Sequence, residues 1–231
     1  MSLADPGGGG DDGLFLAADR SLRARGLVGL LDRERRSIDP RVAGLLRAYA
    51  QPQPALFLDC YRQDWGKGQW LYVFNEQVIF EQSEPEPGVL QFVVLANQSA
   101  FQERLRQVLY GFQSEEESTL AGGRVARHLL EEGTSLAQHD PERASQFFNE
   151  LPESTASALA AALHATRVMY YLARWSALDA RVESALTILL GAGHQFLLTL
   201  PAADAEHLQV TTASAEQIWS AVAALRPLRL I

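Results

Sequence analysis

A chain of 231 residues, 47% apolar and 21% charged, is long enough to bury the core of one two-lobed domain or of two small ones. Its net charge of −8 argues against a general binder of nucleic acid. Its single cysteine, Cys60, excludes an internal disulfide and any multi-cysteine zinc site; lying in an apolar run, it reads as a buried, inert thiol.

In chain order, residues 1–12 hold four consecutive glycines, Gly7 to Gly10, and read as a flexible tail that lacks the basic and apolar regions of a signal peptide. A helix is expected over 12–25, stopped by Gly26. An arginine-rich linker, 32–37, leads to Asp39-Pro40, an N-cap followed by a first-turn proline. Val42, Leu45, Leu46 and Tyr49 then share one face of a second helix. From 55 to 95 the pattern is an antiparallel meander, with strands over 55–63, 69–74, 78–81 and 90–95. Gly66-Lys67-Gly68 reads as its first turn. Glu84-Pro85-Glu86-Pro87-Gly88 reads as a loop, because successive prolines disfavour an interior strand. A closing helix buries Phe101, Leu105, Val108 and Leu109, and the acidic run 114–118 is a solvated linker.

Two or three helices come next. The clearest opens at Asp140-Pro141 and lines up Ala144, Phe147, Phe148 and Leu151. Pro152 restarts the chain into an alanine-rich helix ending near His164. A second meander is expected over 167–175, 181–190, 195–200 and 207–211, before a last helix with Ile218, Val222 and Leu225 inward. The apolar stretch 185–200 is interrupted by Gly191, Gly193, His194 and Gln195, too short and too broken to span a bilayer, so the chain reads as cytoplasmic.

The two halves read as copies. Sixteen residues separate Pro40 from the strand at Leu56, and sixteen separate Pro152 from the strand at Val168. Each half ends in a strand that begins Leu-Gln and a helix with an S-x-x-Q capping box, Ser99/Gln102 and Ser214/Gln217. The expected fold is α+β: two pseudo-repeated lobes, each an antiparallel meander with a closing helix, and a helical segment between them. The expected boundaries are a tail over 1–12, a first repeat over 13–113, a linker over 114–118, and the helical segment with the second repeat over 119–231.

Catalytic patterns are missing: there is no G-x-S-x-G elbow, H-E-x-x-H helix, phosphate loop or dinucleotide fingerprint. Gly66-Lys67-Gly68 has no helix behind it to meet an anion. His128, His139, His164, His194 and His207 lack metal-ligand spacing, and no carboxylates are isolated as an acid–base couple. No enzyme activity, cofactor or metal is implied.

Two other features invite a function. Between Asp19 and Arg47 there are eight arginines and four acids, and the order helix, turn, helix, hairpin over 14–75 is that of a winged-helix DNA reader. Against that reading, the second helix offers a groove only Arg41 and Arg47, and the hairpin tip only Lys67 and Arg62. Aromatic residues also cluster: Trp65, Trp70, Tyr72 and Phe74 in the first meander, and Tyr170, Tyr171 and Trp175 at the matching place in the second. Alternate residues of a strand face opposite sides, so these seven cannot all enter one core unless both faces are covered. They are either core or the contacts of a sheet surface that receives a partner.

The runs SLRARGLV (21–28) and IDPRVAGLLRAYAQPQPALFLDCYRQ (38–63) resemble the opening of EspG-type proteins, the type VII (ESX) secretion-associated chaperones of actinobacteria. The tail GHQFLLTLPAADAEHLQVTTASAEQIWSAVAAL (193–225) is similar to their ending. The resemblance implies two related α+β lobes with a helical portion between them, and a non-enzymatic chaperone or adaptor that binds a helical secretion substrate or another protein. It carries over no contact residue by identity. The remaining alternatives are the DNA-binding regulator and a scaffold that associates with its own copies.

Overall fold

A computed structural model describes residues 28–30, 36–39, 43, 54–63, 66–74, 79–86, 89–112, 120–176, 182–200 and 206–225. The chain separates into two compact units, residues 1–51 and 52–231. In the first, β1 (Val28–Leu30) pairs antiparallel with β2 (Arg36–Ile38), placing Gly29 opposite Ser37. Arg36 and Ser37, expected in a linker, are therefore strand residues. The Ala43 amide donates to the Asp39 carbonyl at 2.9 Å, one turn past the expected N-cap. The tail, the helix over 12–25, most of the second helix and the 114–118 linker lie outside the described residues.

The second unit is α+β and is built on one nine-stranded antiparallel sheet. Its strands are β3 (Ala55–Arg62), β4 (Gly66–Phe74), β5 (Ile79–Glu86), β6 (Val89–Leu95), β7 (Gly123–Ala126), β8 (Thr166–Trp175), β9 (Val182–Gly191), β10 (His194–Thr199) and β11 (His207–Thr212). They lie side by side in the order β6-β5-β4-β3-β8-β9-β10-β11-β7. Strands β3 and β8, which open the two meanders, are neighbours at its centre, with Leu58 opposite Leu172.

The helices are α1 (Gln98–Val108), α2 (Arg127–Ala137), α3 (Pro141–Ser145) with a 3₁₀ turn Gln146–Phe148, α4 (Glu153–His164) and α5 (Ala215–Ala224). Helices α1 and α5 cover the front of the sheet. There Leu56, Leu58, Tyr72, Tyr170, Leu172 and Ile188 pack with Phe101 and Leu105 of α1 and Ile218 and Val222 of α5. Phe101 meets the rings of Tyr72 and Phe74 edge-on at 5.1 and 5.2 Å, a favoured aromatic geometry. Helices α2 to α4 cover part of the back, where Phe148, Leu151 and Leu159 pack on Val125, Leu189, Phe196, Leu198 and Val210. The later part of β9 is covered on both faces, with Ile188 and Leu190 in the front core and Leu189 in the back, so this stretch runs apolar without alternating.

Four local expectations change. Strand β5 runs to Glu86, through the segment expected to be a loop; the register shifts between Ser83 and Glu86, so Pro85 sits in an irregularity where no ladder amide is needed. Gly68 lies in β4 opposite Cys60, and of the expected turn only Gly66 (φ 90°) takes a left-handed conformation. Helix α1 is capped by Asn97, whose side-chain oxygen accepts from the Ala100 amide at 2.9 Å, so Ser99 lies inside the helix. Strand β7, unforeseen, pairs with β11 at one edge of the sheet. The Ser214/Gln217 box is present as read: the Ser214 amide donates to Gln217 Oε1 at 2.8 Å and the Gln217 amide to Ser214 Oγ at 3.3 Å.

Candidate partner-binding face

Six of the seven candidate aromatics are described, and the sheet sorts them by parity. Tyr72, Phe74 and Tyr170 point to the front and are buried in the core under α1 and α5. Trp70 is half-buried and lines a cavity of about 200 Å³ with Cys60, Arg62, Arg104 and Tyr110. Tyr171 and Trp175 point to the back and remain 38% and 39% exposed. Trp65 lies outside the described residues.

Tyr171 and Trp175 are four residues apart on β8, so they share a face and stand about 13 Å apart along the strand. Trp175 is in register with Ala55 on one side and Val182, also exposed, on the other. Tyr171 borders a groove of about 180 Å³ between α2 and the sheet, whose walls include Leu130, Leu198, Leu200 and Leu208. Its rim carries Arg127 and Glu131, an exposed pair at 3.1 Å one helical turn apart. The sheet residues packed under α2 to α4 come from β7 to β11, so the groove lies where this helical cover ends. An exposed tyrosine bordering a leucine-lined groove with a charged rim, and an exposed tryptophan further along the same strand face, suit an apolar helix face or another protein surface.

Among the described residues, no group of three or more His, Cys, Asp or Glu side chains is placed to hold a metal ion. His128 and His207 border a cleft of about 630 Å³ with Glu131 and Glu206, yet no such group forms there. His164, at the end of α4, meets the Ala137 carbonyl through Nδ1 at 2.9 Å, a packing role between two helices. Cys60 is buried in the front core. The hairpin expected as a DNA-reading wing, β3–β4, is built into the sheet, with β8 on one side and β5 on the other. Among the described residues, no helix is long and apolar enough to cross a membrane.

The most charged feature of the core escaped the sequence. Glu81 is fully buried, and both its carboxylate oxygens accept from Arg104 of α1 at 2.7 to 3.1 Å. That hydrogen bonding raises the Arg104 pKa above its usual value. Burial, and then the Glu81 charge, push the Tyr72 phenol well above the ordinary tyrosine range. Twenty-three residues separate Glu81 from Arg104, and only their opposite charges could have hinted at the pair.

No family model matches the chain, and no curated protein does. Among solved structures, the fold is similar to that of the Mycobacterium tuberculosis type VII secretion system chaperone EspG5, solved in complex with a PE25–PPE41 dimer. The similarity has a TM-score of 0.62 at 13% identity and covers 90% of this chain and 83% of that one. The resemblance drawn from residues 21–63 and 193–225 therefore holds at the level of fold.

Proposed function

We propose that this chain is a non-enzymatic cytoplasmic chaperone or adaptor that holds a helical protein partner, of the kind exported by type VII secretion, on the back of its sheet. The observation that carries this reading is the exposed Tyr171 at the leucine-lined groove under α2, with exposed Trp175 on the same face of β8. The likeness of fold to EspG5, whose solved structure includes a PE25–PPE41 dimer, supports it. A fold does not by itself carry a function, so the surface bears the weight.

The test is retention of a partner from the native host by tagged wild-type chain and by a Tyr171→Ala/Trp175→Ala variant. The expected result is one predominantly helical protein held by the wild type and reduced about tenfold or more in the variant, as for contacts at an interface centre. No retained partner, or equal retention by both chains, overturns the reading.

Strand β6 favours a second reading, self-association. It is an edge of the sheet, and Val89, Leu90 and Val94 on it are about half exposed, the kind of edge that pairs with another chain. Light scattering that gives the mass of a single chain at high concentration excludes it.

A further inference from the structure

We propose a second site, on the front of the sheet, that binds a carboxylate carried on an apolar side chain. It is a pocket of about 520 Å³ at the end of the β3–β8 pair, lined by Arg62, Arg167, Gly111, Phe112, Val168 and Leu190. Arg62 is in register with Val168, and the Gln63 amide donates to the Arg167 carbonyl at 3.0 Å. Alternation along β8 would turn Arg167 away from the face of Arg62, but Arg167 lies in the register shift between Thr166 and Val168, and both arginines line the pocket.

The walls are fixed before any ligand arrives. The Arg62 guanidinium carbon lies 4.2 Å from the centre of the Tyr110 ring, a cation–π contact. The backbone of Tyr110 is held by the buried Tyr170 hydroxyl, which accepts from its amide at 3.2 Å and donates to its carbonyl at 3.1 Å. Phe112, two residues on, is set edge-on between the rings of Tyr170 and Trp219 at 6.0 and 5.5 Å. A pocket ordered in advance spares a ligand the entropy of ordering it.

The chemistry of the lining selects the ligand. None of the described residues lining the pocket is acidic, in a chain of net charge −8. Arg167 is exposed and makes no ion pair among the described residues. Guanidinium groups match a carboxylate through paired N–H donors. Phe112, Val168 and Leu190 add an apolar floor that a bare inorganic anion would leave uncovered. The volume suits a small ligand or a single residue. The shared chemistry is that of a free apolar acid and of the last residue of a peptide.

Calorimetric titration of the full chain tests this, independently of any protein partner. The probes are 4-methylpentanoate, a short peptide ending in a leucine carboxylate, the same peptide amidated, and inorganic phosphate. We expect saturable binding of at least one carboxylate probe, with the amide and phosphate about tenfold weaker or worse. Binding of the free acid marks a small-molecule site, and binding of the peptide alone marks a chain-end site. Arg167→Gln, at an exposed position where folding is retained, should weaken binding by about tenfold. Absence of saturable carboxylate binding, equal binding of the amide, or unchanged affinity in Arg167→Gln overturns the proposal.

Discussion

The hydroxyl of Tyr170 grips the backbone of Tyr110 twice, donating to its carbonyl at 3.1 Å and accepting from its amide at 3.2 Å. Sixty residues separate the two, so one phenol ties the central strand β8 to the chain leaving α1. Tyr170→Phe keeps the ring and its packing but leaves both backbone groups without that partner. The expected loss is about 1 to 3 kcal/mol, read as a lower urea midpoint with an unchanged slope. An unchanged midpoint would mean that water replaces the phenol at no cost.

Arg104 and Glu81 form an unequal pair, with the arginine side chain 33% exposed and the carboxylate fully buried. Arg104→Ala strands the buried charge and should cost about 3 kcal/mol, the low end of the usual range because water can reach the place Arg104 leaves. Replacing both groups, Arg104→Leu with Glu81→Leu, should cost markedly less than the single change, since no charge then stays buried. Denaturant titration of the two variants decides it. A double variant as unstable as Arg104→Ala would show that the site needs the ion pair for its packing.

Much of the scaffold could be read from local chemistry. Ser214 and Gln217 carry a capping box because both partners lie within one turn, and Asp140 caps α3 for the same reason, accepting from the Arg143 amide at 3.0 Å. Ser99/Gln102 has the same spacing, yet Asn97 lies two residues earlier and captures the Ala100 amide first. Pro85 signals a break but not its kind, because a strand that shifts register tolerates a proline as readily as a loop does. The candidate surface was half legible. Alternation along β8 separates Tyr170 from Tyr171, but which side faces solvent depends on helices brought from far along the chain, such as α1 over Tyr170. Glu81 and the pocket beside Arg167 depend wholly on such distant contacts.

The alkaline limb of stability should carry the mark of Tyr72. A phenol ionises near 10.0 when unperturbed, and burial beside Glu81 raises the folded-state value. Below pH 10 both states hold the proton and the stability is fully present. Above pH 10 the unfolded chain releases a proton that the folded chain keeps, so stability falls as pH rises, by about 1.4 kcal/mol per pH unit for this group. Thermal melts from pH 8 to 11 should show a steeper decline for the wild type than for Tyr72→Phe. Parallel declines would mean that Tyr72 ionises normally in the folded chain.

Adjacent residues in the β9–β10 turn should respond to substitution with opposite signs. Gly191 ends β9 against the end of α4, where an added Cβ would strike the carbonyl oxygens of Ala162 and Ala165. Backbone atoms cannot swing aside as a side chain can, so Gly191→Ala should cost about 3 kcal/mol, at the upper end for overpacking. Ala192 and Gly193 follow at φ 48° and 78°, the two left-handed positions of a tight hairpin turn. Alanine pays a steric cost there that asparagine largely avoids, so Ala192→Asn should raise stability by about 0.5 to 1 kcal/mol. Melting temperatures of the two variants, measured beside the wild type, should move apart in opposite directions. A drop in Ala192→Asn would refute the turn geometry, and a tolerated Gly191→Ala would show that α4 can yield to the sheet.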